Sequence, residues 1–124
     1  MDINFDNNTP IYIQLLECIK TYIISGKLNP GDKLPSVREF ASMFKVNPNT
    51  MQKALSSLEE EKLIYTERTN GKFVTNDKKI INDIKSKYAK KIVDEYFISM
   101  NKIGISNEDA INYLKERKVN LWNF

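Results

Sequence analysis

The stretch from Leu34 to Glu60, LPSVREFASMFKVNPNTMQKALSSLEE, decides how this chain is read. It holds two helix starts separated by one short turn. Ser36 and Glu39 have the spacing of a capping box, in which the hydroxyl accepts from the Glu39 backbone N–H and the carboxylate reaches back. Asn47 before Pro48 is the second start. Asn47 serves as N-cap, and Pro48 at the first helical position gives up a donor that would have no partner there. Met51, Ala54, Leu55 and Leu58 then fall at the i, i+3, i+4, i+7 spacing of a buried stripe. The opposite face carries Asn49, Gln52, Lys53 and Ser56. Amides pair bidentately with adenine, and a lysine reaches guanine or phosphate, so this face has the chemistry that reads base edges in a DNA major groove. The arrangement predicts a helix-turn-helix whose second helix is the reader. An ordinary pair of core helices with a solvated polar face shows the same local pattern, so the flanks must decide.

Upstream, Thr9-Pro10 predicts the start of a first helix, with Thr9 as N-cap. Ile11, Leu15, Ile19, Tyr22 and Ile23 form its apolar stripe, and Gly26 stops it. Residues 28–34 are a connector. Asn29-Pro30-Gly31-Asp32 places Pro and Gly as a type II turn requires, and a short strand around Lys33 and Leu34 follows. Downstream the period changes. Ile64-Tyr65-Thr66-Glu67 and Lys72-Phe73-Val74-Thr75 read as two strands, and Asn70-Gly71 between them is a hairpin signal. A hairpin directly after a helix-turn-helix is a wing. Its tip, flanked by Arg68 and Lys72, suits phosphates or the minor groove, and Gly71 allows close backbone approach.

Composition narrows the chemistry. At 124 residues the chain is one domain, or one small domain with an appendage. It has no histidine, which removes the commonest general base and metal ligand. No Gly-rich phosphate loop, cysteine cluster or nucleophile–base pairing is present, so neither an enzyme nor a bound metal or cofactor is expected. The single cysteine, Cys18, sits within a helical pattern and reads as a small buried thiol. No apolar run approaches the ~20 residues of a membrane span, and the polar start MDINFDNNTP is no signal peptide. A cytoplasmic protein is the expectation. The net charge of +3 is uneven. Residues 1–77 carry nine Lys or Arg against ten Asp or Glu, and residues 78–124 carry ten against six. Because phosphate contacts dominate DNA affinity, the reader half depends on a local basic stripe from Arg38, Lys45, Lys53, Arg68 and Lys72, with Glu59, Glu60 and Glu61 at the far end of the second helix.

Residues 9–76 resemble the N-terminal winged-helix domain of the GntR family of bacterial transcriptional regulators. The resemblance rests on Pro10-Ile11-Tyr12, on the run from Gly26 to Ser36 with Arg38-Glu39-Phe40-Ala41, on Val46, Asn47, Thr50, Ala54-Leu55 and Leu58, and on Gly71-Lys72-Phe73-Val74. It implies a homodimeric repressor on an inverted-repeat operator in double-stranded DNA. By the same resemblance Ser36 meets phosphate and Arg38 reaches a guanine or its phosphate. Asn47, Asn49 and Thr50 match the polar start of the recognition helix, and Gly71 the wing tip. Pro48 and Gln52 stand where many relatives have arginine. Gln52 and Lys53 are kept as contacts on their chemistry, as are Arg68 and Lys72. A winged helix used only to bind another protein is the alternative.

The remainder divides the chain into a DNA-binding domain, residues 1–77, and a C-terminal helical segment, residues 78–124. Ile81, Ile84, Tyr88, Ile92, Tyr96, Met100 and Ile103 make one long stripe at helical spacing, widened by Val93 and Phe97. Gly104 stops it, and Ser106 with Asp109 starts a shorter helix bearing Ala110, Ile111 and Leu114. Val119, Leu121, Trp122 and Phe124 complete the apolar set. So wide a stripe needs a partner surface, and a second copy is the simplest. The expected interface comprises Ile84, Tyr88, Ile92, Tyr96, Met100, Leu114, Leu121 and Trp122. The fold expected is mainly α with a small β-hairpin: a winged helix-turn-helix plus a two-helix dimerisation segment. So short an appendage resembles the YtrA-like branch of the family, which implies control of a neighbouring operon, often one for ABC transporter components. Nothing in the sequence identifies a small-molecule effector.

Overall fold

The computed structural model describes residues 3–121, with side chains through residue 117. Five helices and one hairpin follow in the order α1 (Ile11–Ile24), α2 (Val37–Phe44), α3 (Pro48–Glu60), β1 (Ile64–Glu67), β2 (Gly71–Val74), α4 (Lys78–Lys102) and α5 (Asn107–Leu121). This is the expected class: mainly α, a winged helix-turn-helix, then a two-helix segment.

Helix α3 is the centre of the first compact unit, residues 1–85. It packs on α1, α2 and β1. Its stripe, Met51, Ala54, Leu55 and Leu58, is fully buried and belongs to one core with Leu15 and Ile19 of α1, Phe40 of α2, and Leu63, Ile64 and Val74. Each large aliphatic side chain removed from water contributes about 1.5–3 kcal/mol, so the stripe fixes which face of α3 is left outside. The turn between α2 and α3 is closed by Lys45 in the left-handed region (φ 58°), with the Val46 N–H donating to Ala41 O at 2.9 Å. The end of α3 repeats the device, with Lys62 at φ 63° and the Leu63 N–H donating to Leu58 O at 3.0 Å. These are αL helix stops without glycine.

The hairpin pairs Ile64 with Val74 through to Glu67 with Gly71, leaving Arg68, Thr69 and Asn70 as the tip. Gly71 alone takes positive φ there (102°) and Asn70 does not. The positive φ thus falls on the residue that follows the tip, where glycine adopts it without steric cost. The connector joins as a one-bridge third strand, Lys33 pairing with Phe73, and Leu34 N–H donates to Lys72 O at 2.8 Å. The turn before it forms as expected, Asp32 N–H donating to Asn29 O at 3.0 Å with Gly31 at φ 82°. A Cβ on Gly31 would lie 2.5 Å from the Asn76 side chain, so glycine is required there twice over.

One start differs from expectation. Helix α1 begins after Pro10, which occupies the cap position itself with ψ 141° and no side-chain cap. Thr9 is not the N-cap; its carbonyl accepts from Gln14 Nε2 at 2.7 Å. Gln14 also accepts from the Asp6 N–H at 3.0 Å, so it ties down the segment before the helix.

The compact unit runs past the 77/78 position into α4, whose Ile81 is buried. The second unit, residues 86–124, holds the rest of α4 with α5. Ala110 is buried there, and Tyr96 donates its hydroxyl to Ala110 O at 2.6 Å. Asn101 Nδ2 donates to Ile105 O at 2.8 Å and to Asn107 Oδ1 at 3.0 Å, bracing the turn. Ser106 caps α5, accepting from the Asp109 N–H at 3.1 Å.

Candidate nucleic-acid interface

The polar face of α3 and the entrance to α2 follow from how each helix starts. Asn47 Oδ1 accepts from the Asn49 N–H at 2.8 Å, which leaves the Asn47 amide donors free to face outward. Ser36 Oγ accepts from the Glu39 N–H at 3.2 Å, so its O–H remains a donor. Arg38 is exposed in the first turn of α2 and has no partner among the described residues. Asn49 and Gln52 are exposed on α3, and Thr50 is half-buried. Gln52 is partly engaged, its Nε2 donating to Ser56 Oγ at 3.1 Å.

The start of α2 and the wing form two walls of an open groove of about 800 Å³. Ser36 lies on one wall and Arg68, Gly71 and Lys72 on the other. Residues more than thirty apart in sequence are thereby brought to one surface. A second, smaller cleft of about 370 Å³ lies between α1 and α3, lined by Ile11, Tyr12, Asn49, Thr50 and Lys53.

The charges are less available than their number suggests. The Lys72 ammonium is 2.6 Å from Glu59 Oε1 and donates to Thr66 Oγ1 at 2.9 Å. Thr66 donates to the same carboxylate oxygen. These contacts, the Lys72 hydrogen bond foremost and Thr66 next, hold the Glu59 carboxyl below its ordinary range. Lys72 therefore braces the wing against the end of α3 and is not a loose cation at the tip. The same pairing answers part of the charge problem. Of the acidic run at the end of α3, Glu59 is bound to Lys72 and Glu61 lies 2.8 Å from the buried Lys20 of α1. Lys53 lies against the Tyr12 ring, its Nζ 3.9 Å from the centroid. Arg38, Lys45 and Arg68 remain exposed cations with no partner among the described residues. Sequence reasoning missed Tyr12 and Glu59 as parts of this surface, since both act on lysines far along the chain.

In the second unit the long stripe is only partly covered. Tyr88, Tyr96 and Met100 are half-buried there, as is Ile84 in the part of α4 that belongs to the first unit, and Tyr96 meets Phe97 edge to face at 5.3 Å. Ile92, Val93, Ile103 and Leu114 are exposed, Ile92 by 64% and Ile103 by 71%. The Leu121 side chain and Trp122 lie outside the described residues. Among the described residues no helix is long and apolar enough to cross a membrane, and no three His, Cys, Asp or Glu side chains gather as a metal site would need.

Residues 11–74 match the family described as "Bacterial regulatory proteins, gntR family". Over most of its length the chain is similar to two proteins of Bacillus subtilis (strain 168). An uncharacterized HTH-type transcriptional regulator, YhcF, is 35% identical over 93% of this chain and 95% of that one. The HTH-type transcriptional repressor YtrA is 36% identical over 89% of this chain and 85% of that one. The solved structure of a GntR family transcriptional regulator from Listeria monocytogenes superposes with a TM-score of 0.83 at 42% identity, covering 90% of this chain and 98% of that one. GntR proteins are regulators and not enzymes. The winged helix, its outward polar face and these similarities agree: the chain belongs to the GntR family of bacterial transcriptional regulators and carries that family's DNA-binding domain.

Proposed function

We propose that this protein is a homodimeric repressor that binds an inverted-repeat operator and controls a neighbouring operon, of the ABC transporter type in keeping with the YtrA-like branch. The observation that carries the DNA reading is the exposed polar face of α3, with its apolar stripe wholly buried behind it. In this reading α3 enters the major groove. Asn49 reads adenine, with Gln52 joining once it leaves Ser56, and Arg38 reads guanine. Ser36, Asn47 and Thr50 donate to phosphates beside them, and phosphate contacts set the register on the duplex. Lys53 and Arg68 supply charge, and Gly71 lets the wing backbone approach. Lys72 contributes by holding the wing in place.

The exposed Ile92, Val93, Ile103 and Leu114 support pairing of two copies through the second unit, with Tyr88, Tyr96 and Met100 of the same unit; the proposed interface also takes in Ile84, Leu121 and Trp122. Apolar side chains so exposed on one segment are what a second copy would cover. A two-fold dimer sets two reader helices about one DNA turn, ~34 Å, apart.

Footprinting on the DNA upstream of the gene, with stoichiometry from sedimentation, tests this reading. It expects a protected inverted repeat holding two chains. Replacing the adenine opposite Asn49 or the guanine near Arg38 should weaken binding by about 1–3 kcal/mol per position. Unaltered affinity after those replacements removes the base assignment. Absence of protection, with capture of a protein partner instead, favours a wing that binds protein.

A further inference from the structure

Tyr12 lies on α1, outside the helix-turn-helix, and its ring faces the reader helix. The Lys53 Nζ sits 3.9 Å from the ring centroid. Tyr12, Asn49, Thr50 and Lys53 line one cleft with Ile11. We infer that Tyr12 is a positioning residue for DNA binding: its ring holds the Lys53 ammonium beside Asn49 and Thr50, so that a phosphate passing the start of α3 meets a charge already in place. The inference rests on the DNA reading above and assigns it a residue that lies on neither helix of the motif.

The physical reasons are three. An ammonium is attracted to the negative face of an aromatic ring. A lysine has a long, freely rotating stem, and ordering it at the moment of binding costs entropy. Ring contact orders it beforehand, and preorganisation of this kind strengthens binding without adding a contact. The ring covers one side of the ammonium and engages none of its three N–H donors in a hydrogen bond, so these remain available to a phosphate oxygen. The contact depends on the ring and not on the phenol, because no hydrogen bond to the Tyr12 hydroxyl is formed among the described residues.

The test is a double-mutant cycle on DNA affinity, using the full chain and a duplex carrying the upstream region, with NMR of the free protein alongside. Tyr12→Phe keeps a ring and should bind as the unsubstituted chain does. Tyr12→Leu should weaken binding about threefold, the scale of one exposed cation–π contact. In a Lys53→Met background Tyr12→Leu should have no further effect, although Lys53→Met alone lowers the salt slope by about one. The Lys53 ε-methylene protons should show a ring-current upfield shift that Tyr12→Leu abolishes and Tyr12→Phe retains. Equal weakening by Tyr12→Leu with and without Lys53 overturns the proposal, as does the absence of the upfield shift. If the unsubstituted chain binds no DNA at any salt concentration, the DNA reading itself falls and this role with it. Intact binding without coupling overturns this role alone.

Discussion

At Glu59 one carboxylate takes a hydrogen bond and a charge from Lys72 and a second hydrogen bond from Thr66. Its folded-state acidity is raised, so its pKa lies below the ordinary value. The sign follows by linkage. The contact stabilises the fold fully above the ordinary glutamate range (about 4.3) and is lost as pH falls through the lowered value. Glu59→Gln should therefore lower Tm near neutral pH by only a few degrees, since the carboxylate is partly solvated and screened. The difference from the unsubstituted chain should shrink in acid. Thermal melts across that range check it; a gap that widens in acid would contradict the assignment. The neighbouring cations should separate in the salt dependence of DNA binding. Arg68→Ala should flatten the slope by about one, whereas Lys72→Ala should leave it nearly unchanged, because Lys72 is spent within the protein. In the core, Leu58→Ala opens a cavity at a fully buried site and should cost about 2–5 kcal/mol by denaturant melt.

Helix α3 shows what local pattern carries. Its cap, its proline and its stripe are all within thirteen residues of one another, and each forms where expected. Asn47→Ala should lower stability by about 1 kcal/mol through loss of the cap to the Asn49 N–H, measured by the same melts. The hairpin and its glycine were readable for the same reason. Other features were not, and the reasons are physical. Lys45 and Lys62 take the left-handed conformation with no glycine to announce it. The energy for that comes from the hydrogen bonds and packing that close each helix. The start of α1 was displaced by one residue because an extended Pro10 leaves Thr9 outside the helix. The bracing of Lys72 by Glu59 and the seating of Lys53 on Tyr12 join residues from different elements. Periodicity along the chain says which face a side chain is on, and not which distant partner it meets there. The candidate DNA surface was thus legible as a set of residues, but its division into free and committed charges was not.

For the whole molecule, the charge balance and the apolar surface point the same way. The winged-helix half has a slight acidic excess, so by itself it has little general attraction for phosphate, and in the proposed dimer affinity comes from placed contacts used twice. Two linked copies make the second half-site encounter intramolecular, which multiplies affinity without new contacts. Ile92→Glu, at a side chain 64% exposed in the single chain, should turn the proposed dimer into a monomer in sedimentation equilibrium. It should reduce affinity for a two-half-site duplex by about a hundredfold and leave the melting of the winged helix unchanged. Unaltered association would place the interface elsewhere. The most direct test of the central claim is fluorescence anisotropy with the upstream duplex at two salt concentrations, the unsubstituted chain beside Arg38→Ala. Sequence-specific binding should weaken as salt rises, and Arg38→Ala should weaken it by about tenfold or more. Weak binding that ignores DNA sequence and is untouched by the substitution would contradict that claim.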